Sequence, residues 1–297
     1  MAVSSFLSSR QQQIASRYRQ VKDRDDLPEV LLLIAQVAAV SLFTMLIHMA
    51  ETLTYSLRLA GVRLRKLAVA MSLSGIVLLI SRTSNMIQAP MTGKIIDGAR
   101  LHPDFHLAGQ MRFILAAATA GTLLAIVLFP TAVRLSARLI AHMEQAGSIP
   151  RLLPVLLSPT KMRNIRYYLR LPRFSMFSHI RKGGVPYRLV LLNGLVTAIY
   201  TIGVLAALLA STYATAYSTS ASQASGLING MATIMLALLI DPKIGLLTDQ
   251  VMSGDRSNGE MSRIFGVLML SRLMGTVLAQ LLLVPAALWI GWIVSVI

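Results

Sequence analysis

Long runs without a charged residue alternate with short charged segments along this chain. Asp, Glu, Lys and Arg are all absent from 30–50, 113–133, 189–240 and 273–297. Because a helix needs about 20 apolar residues to cross a bilayer, these runs predict transmembrane helices. The predicted spans lie near 30–51, 67–90, 111–133, 189–210, 224–242 and 268–296.

The third uncharged run, 189–240, has 52 residues and is too long for one span. Its middle, residues 211–225, reads STYATAYSTSASQAS and consists of small, polar, neutral side chains. Such a composition is typical of a loop between two helices. We therefore expect the fourth span to end before this segment and the fifth to begin after it.

The composition indicates the same class of protein. Of the 297 residues, 55% are hydrophobic and 13% are charged, and the mean hydropathy is +0.65, which excludes an ordinary soluble fold. The sequence predicts an all-α polytopic integral membrane protein with about six helices. It would consist of a polar N-terminal extension, 1–29, and a single membrane domain, 30–297.

The net charge of +16 is concentrated at helix ends and in one loop. Residues 145–188 contain nine Lys or Arg and no acid, whereas 211–225 has no charge, so we expect the first segment to be cytoplasmic and the second external. This distribution indicates contact with anionic membrane lipids rather than with nucleic acid. The basic cluster comprises Lys161, Arg163, Arg166, Arg170, Arg173, Arg181 and Lys182.

Polar residues follow one face at the end of the first span. His48, Glu51, Tyr55 and Arg58 are spaced three, four and three residues apart, which places them within roughly 80° of one another on a helix. A row of residues reaching for the membrane surface would explain Arg58, but not a carboxylate beside an anionic leaflet. The pattern favours a pairing or functional role for Glu51.

The second span has a polar face with an arginine beside it. An arginine at the depth of Arg82 costs at least about 2.5–3.5 kcal/mol unless it reaches the interface, a partner such as Glu51, or an anionic ligand. All three interpretations remain open at this point. The face consists of Ser74, Ser81, Asn85 and Gln88.

The sixth span repeats this pattern with Arg272, Thr276 and Gln280 at four-residue intervals. Asp241 precedes Arg272 by 31 residues, the separation also found between Glu51 and Arg82. The coincidence allows a repeat of the hairpins made by spans one–two and five–six.

Two further polar features lie in or after the fifth span. Asp249 is a second acid available to pair with a cation, and Asn229 with Thr233 forms a polar pair four residues apart. The sequence lacks the phosphate-binding motif G-x-x-x-x-G-K-[ST], so ATP hydrolysis by that route is excluded. We expect no metal and no other cofactor.

Four segments together resemble the Amj family of bacterial lipid II flippases, over essentially 40–297. They read AETLTYSLRLAGVR at 50–63, LAVAMSLSGIVLLISRTSNMIQAP at 67–90, DPKIGLLTDQV at 241–251 and LMLSRLMGTVLAQLLLVP at 268–285. The most specific motifs are E-T-x-x-Y-x-x-R-x-A-G-V-R and S-R-T-S-N-x-x-Q-A-P. The N-terminal extension lies outside the resemblance.

The resemblance implies a multi-pass protein of the bacterial cytoplasmic membrane that moves undecaprenyl-pyrophosphate-linked peptidoglycan precursor, lipid II, to the outer leaflet for cell-wall synthesis. It implies a transporter rather than an enzyme. Arginine offers a permanently charged, fork-shaped partner for a pyrophosphate. The expected substrate-binding residues are Arg58, Arg82, Arg272, Asn85, Gln88, Asn229 and Gln280, and the expected charge-pairing or gating residues are Glu51, Asp241 and Asp249.

Two other functions are compatible with the residues alone. The polar hairpins suit a small-molecule or ion transporter, and His48 with Glu51 is a candidate dyad for a membrane enzyme of lipid-linked intermediates. Flipping predicts translocation of an unaltered precursor in protein-only vesicles, whereas an enzyme predicts a chemically altered product.

Overall fold

The computed structural model of the chain describes residues 2–102, 105–147 and 185–297, with side chains in the first helix described from Pro28 onward. These described ranges contain helices and no strand. A 3-10 turn lies at Thr215–Tyr217, and a π-helical turn lies at Leu236–Ile240. The helices are α1 (Ala2–Arg63), α2 (Leu67–Leu101), α3 (Leu107–Ala146), α4 (Tyr187–Tyr213), α5 (Ser218–Met235), α6 (Asp241–Ser253) and α7 (Asn258–Val296).

Within the described ranges, six helical segments are long and apolar enough to cross a membrane, which confirms the predicted fold class. They contain 27 to 39 residues, more than the 20 or so that a bilayer requires, so their ends extend beyond the hydrocarbon layer. The fifth combines the 3-10 turn, α5, the π turn and α6. The segments are Pro28–Arg63, Leu67–Leu101, Leu107–Gln145, Tyr187–Tyr213, Thr215–Ser253 and Asn258–Val296.

The predicted loop 211–225 is much shorter in the structure. Helix α4 continues to Tyr213, and α5 begins at Ser218, so most of the polar stretch is helical. Small residues explain the difference, because Ala and Ser side chains let α5 lie close against α4, and Ala221 is fully buried. The backbone of the predicted N-terminal extension is helical and continuous with the rest of α1.

The helices form two groups of three spans. Helix α1 contacts both α2 and α3 extensively, and α4 likewise contacts α5 and α7. The groups meet mainly where α3 lies against α7, with smaller contacts of α1 with α7 and of α2 with α4. The largest fully buried side chains include Leu59, Leu115, Leu189 and Phe265.

Helix α3 approaches α1 most closely at Gly121. A Cβ added there would lie 2.1 Å from the Met45 carbonyl oxygen, closer than atoms approach without displacement of the backbone. We expect Gly121→Ala to destabilise the bundle by about 1–3 kcal/mol through overpacking. The thermal unfolding midpoint in detergent measures this.

Gly75→Ala is the matched control, because no atom lies within 4 Å of the Cβ that it would add. Without steric conflict, alanine in a helix interior is more favourable than glycine by about 0.5–1 kcal/mol. Equal destabilisation by the two substitutions would contradict the close contact between α1 and α3.

Candidate functional site

A single buried carboxylate joins four helices at the centre of the bundle. Glu51 of α1 is 5% exposed and accepts hydrogen bonds from Ser81 Oγ of α2 at 2.6 Å and from the Tyr200 hydroxyl of α4 at 3.3 Å. It also forms a buried ion pair with the Arg272 guanidinium of α7. A charge in this position is tolerated because it has a counter-ion and neutral donors.

The expected pairing of Glu51 with Arg82 is therefore corrected to Glu51 with Arg272. Successive residues on a helix are turned by about 100°, so that Ser81 points at Glu51 whereas Arg82 lies on the exposed side of α2. Arg82 directly follows Ser81 and lies about one turn before Asn85, so its backbone is beside the polar centre.

The polar stripe of α1 faces the interior along its whole length. His48, Glu51, Tyr55 and Arg58 are each at most 9% exposed, so they are not a row of surface side chains. The Tyr55 hydroxyl donates to Asn193 Oδ1 of α4 at 3.4 Å. The stripe therefore faces the second group of spans.

Arg58 forms the second ion pair of the stripe. Its Nη1 lies 3.4 Å from Asp241 Oδ1, at the first residue of α6. The Arg58 side chain is 10% exposed and the Asp241 side chain 42%, so this pair lies closer to the edge of the bundle than Glu51 and Arg272.

A polar cavity adjoins the Glu51 ion pair. Its free volume is about 50 Å³, and it is partly open to the outside. Spans one to five contribute to its wall. The lining residues are Thr44, His48, Asn85, Gln88, Ala89, Thr92, Ile114, Tyr200, Thr201, Val204, Leu205 and Asn229.

The amides of α2 bridge the wall of this cavity. Asn85 Nδ2 donates to the Tyr200 hydroxyl at 2.6 Å. Gln88 Nε2 donates to the Val40 carbonyl at 3.1 Å and to the Thr44 hydroxyl. These contacts connect α2 with α4 and α1, so a ligand that bound the amides would alter contacts between helices.

Two polar atoms of the cavity wall are buried without a hydrogen bond. Neither His48 Nδ1 nor Asn229 Oδ1 has a partner among the described residues. A buried polar atom left unpaired costs about 1–3 kcal/mol, so native proteins seldom retain one without a reason. A polar ligand in the cavity would supply the missing partner.

The other predicted site residues lie farther from the cavity. Gln280 donates to the Arg112 carbonyl on α3 at 3.2 Å, and Asp249 is exposed on α6. The basic cluster of 145–188 lies outside the described residues. Within the described ranges, no three His, Asp or Glu side chains are close enough to hold a metal ion.

Sequence reasoning did not assign Ser81, Tyr200 or Thr44 to the site. Ser81 had a signal, because it shares its helical face with Asn85 and Gln88. Tyr200 had none, since it is a lone hydroxyl-bearing ring in an otherwise uncharged span, and its role arises from contacts with α1 and α2.

Comparisons with known proteins agree with one another. A family model described as "Amj: Alternate to MurJ" matches residues 43–294. The chain is 41% identical over 259 residues to the lipid II flippase Amj of Bacillus subtilis (strain 168), which covers 87% of this chain and 96% of the relative. No solved structure matches.

Proposed function

This chain belongs to the Amj family, and on that premise we propose that its central cavity binds the polar head of lipid II during transfer between leaflets. The protein is a multi-pass transporter of the bacterial cytoplasmic membrane, not an enzyme. It moves undecaprenyl-pyrophosphate-linked precursor from the inner to the outer leaflet for cell-wall synthesis.

The observation that carries the head-group proposal is the Glu51–Arg272 ion pair beside an incompletely satisfied polar cavity. A guanidinium offers two parallel N–H groups to two phosphate oxygens, a geometry that a pyrophosphate matches. When the pyrophosphate binds, Arg272 exchanges the carboxylate for phosphate. Glu51 retains the Ser81 and Tyr200 hydroxyls as donors.

The remaining polar residues take supporting roles in the proposal. Arg82, beside the cavity on α2, is a second cation for the pyrophosphate, and Arg58 is the cation at the edge of the bundle. The amides of Asn85, Gln88 and Asn229 bind sugar and peptide groups. Gln280 and Asp249 lie outside the cavity and remain predictions from the sequence.

The size of the cavity requires movement during transport. The cavity has free room of only about 50 Å³, well below the about 300–1,000 Å³ of small-molecule pockets, and a head group of pyrophosphate, sugars and peptide is larger still. The helices around the cavity must therefore separate. No nucleotide site is needed, because the membrane potential is a source of bias: moving about two negative charges outward through 100 mV releases on the order of 4.6 kcal/mol.

Purified protein in vesicles, supplied with a fluorescent lipid II analogue on one leaflet, tests the proposal. We expect the analogue to reach the other leaflet unaltered, and Arg272→Lys to lower the rate at least tenfold because lysine keeps the charge but loses the fork. Arg112→Lys, at an exposed arginine of α3, is the control. Full activity of Arg272→Lys would remove Arg272 from the proposed site.

The orientation also remains to be tested. We expect the Ser253 end of the fifth span to face the cytoplasm and the Ser220 end to face outward, since the basic loops lie on the former side. The chain has no cysteine, so Ser253→Cys and Ser220→Cys give single labels, both at exposed positions. An impermeant reagent in intact cells should label only Ser220→Cys; the opposite pattern would invert the topology.

A further inference from the structure

The two groups of spans have the same internal arrangement. In each, the first helix contacts the second and the third extensively, while the second and third contact one another much less. Thus α1, α2 and α3 correspond in order to α4, the fifth span (α5 and α6) and α7. Spans one and two therefore correspond to spans four and five, whereas the sequence pattern had matched them with spans five and six.

The third helices of the two groups share a sequence and a contact. Both contain G-T-x-L-A, at 121–125 in α3 and at 275–279 in α7. A Cβ on Gly121 would lie 2.1 Å from the Met45 carbonyl oxygen of α1, and one on Gly275 would lie 2.4 Å from the Gly194 carbonyl oxygen of α4. Each glycine thus brings the third helix against the backbone of the first.

The second helices share two further motifs. Ser-Gly occurs at 74–75 and 225–226, and P-x-x-G-x-x-x-D occurs at 90–97 and 242–249. The interval between the motifs is one residue longer in the fifth span. The π-helical turn Leu236–Ile240 lies in that interval, and such a turn accommodates one additional residue within a helix.

Equivalent points lie at a nearly constant separation along the chain. The separation is 149 residues between Met45 and Gly194, 152 between Pro90 and Pro242, and 154 between Gly121 and Gly275. Such a separation, about half the chain, is expected for a tandem repeat.

The two repeats run in opposite directions. Tyr55 of α1 contacts Asn193 of α4. One turn earlier on α1, Glu51 contacts Tyr200, which lies almost two turns later on α4. The first helices of the two repeats are therefore antiparallel. Three spans per repeat produce this inversion, because each crossing reverses the chain. Inverted repeats of this kind are a recurrent architecture of transporters.

Among the polar contacts between the repeats, two lie toward opposite ends of the bundle. In the α1–α6 gate, Arg58 of α1 binds Asp241 of the fifth span. In the α2–α4 gate, Arg100 of α2 donates to the Ser211 carbonyl of α4 at 3.0 Å and to Ser211 Oγ at 3.4 Å. The first gate joins the first helix of one repeat to the second span of the other, and the second gate joins the second helix of one repeat to the first helix of the other. The two gates therefore join equivalent pairs of spans.

We infer that the chain consists of two inverted three-helix repeats, and that the cavity opens alternately to the two membrane faces through the α1–α6 gate and the α2–α4 gate. This inference rests on the proposed function. Each repeat moves as a body, because Gly121 and Gly275 hold its first and third helices together. The contacts that change lie between repeats.

Cross-linking tests the gates in a chain that has no native cysteine. The gate pairs are Arg58→Cys with Asp241→Cys, and Arg100→Cys with Ser211→Cys. The control pair, Ser56→Cys with Ser136→Cys, lies within the first repeat, where the two hydroxyls are 3.0 Å apart. A bifunctional thiol reagent should lower flipping at least tenfold in each gate pair relative to the same reduced protein, and less than twofold in the control.

A second measurement needs no substrate. Thr92→Cys places one thiol in the cavity wall, where the native side chain is 1% exposed. Arg58→Gln should raise its reaction with an impermeant reagent on the Arg58 face, and Arg100→Gln on the opposite face, each at least fivefold. Ser136→Ala, within one repeat, should change neither rate.

The two measurements separate the inference from the proposed function. If Thr92→Cys reacts from opposite faces in Arg58→Gln and Arg100→Gln but the protein does not flip lipid II, the proposed function is refuted and the two gates are supported. Flipping that persists after either gate is cross-linked, or reactivity that rises on the same face in both gate variants, would overturn the inference.

Discussion

Glu51→Gln destabilises the bundle by about 3–5 kcal/mol and abolishes flipping, because it leaves the Arg272 guanidinium without its counter-ion in a buried position. The Arg272 side chain is 12% exposed, so water replaces little of the lost interaction. Arg272→Met should cost a comparable amount, since it leaves the carboxylate with only neutral donors. Thermal unfolding in detergent and complementation of flippase-depleted cells measure the two effects.

The double variant Glu51→Gln, Arg272→Met distinguishes a charge pair from two separate contributions. Removing both charges eliminates the unpaired ion, so the double variant should be more stable than either single variant. Transport should not recover, because the double variant lacks Arg272, the residue proposed to bind the pyrophosphate. Strictly additive losses of stability would show that the two charges do not interact.

Arg82→Met tests the pairing of Arg82 with Glu51 that residue spacing suggested. Arg82 is exposed on α2, so its removal should not couple with Glu51→Gln by more than about 0.5 kcal/mol, the usual limit of additivity for independent sites. A larger coupling energy with Arg82 than with Arg272 would restore the pairing that residue spacing suggested.

The fold was predictable where local composition determines it. Uncharged runs identify five of the six spans because the hydrocarbon layer excludes charge over about 20 residues, and the second span is an apolar stretch interrupted by Arg82. The limits of the fifth span were not predictable in the same way, because the small residues of 218–225 suit either a loop or a tightly packed helix. Packing against α4 stabilises the helical conformation of these residues.

The sequence predicted which face of α1 carries the site residues, but not which residues of other helices they contact. Spacing places His48, Glu51, Tyr55 and Arg58 on one side of α1, and all four are buried. The partner of Glu51, however, is 221 residues away along the chain. Choosing between arginines on α2 and α7 requires the rotation of each helix about its axis, which hydrophobic periodicity defines poorly in a membrane because lipid and protein interiors are both apolar.

The cavity wall provides the last prediction, in which stability and transport change in opposite directions. His48 Nδ1 and Asn229 Oδ1 are buried without partners, a cost that the folded protein bears in the absence of a ligand. Asn229→Leu removes the unpaired oxygen while keeping a similar shape. We expect it to raise the thermal midpoint, or leave it unchanged, and to lower flipping at least tenfold because the head group loses a polar partner.

Gln36→Leu is the matched control for this substitution, since Gln36 Oε1 is also buried without a partner but lies outside the cavity wall. It should change stability in the same direction as Asn229→Leu and leave flipping unchanged. If both variants flip lipid II at the wild-type rate, the unpaired atoms are structural and the head group binds elsewhere. If only Asn229→Leu loses activity, the polar atom is retained at the expense of stability because the substrate uses it.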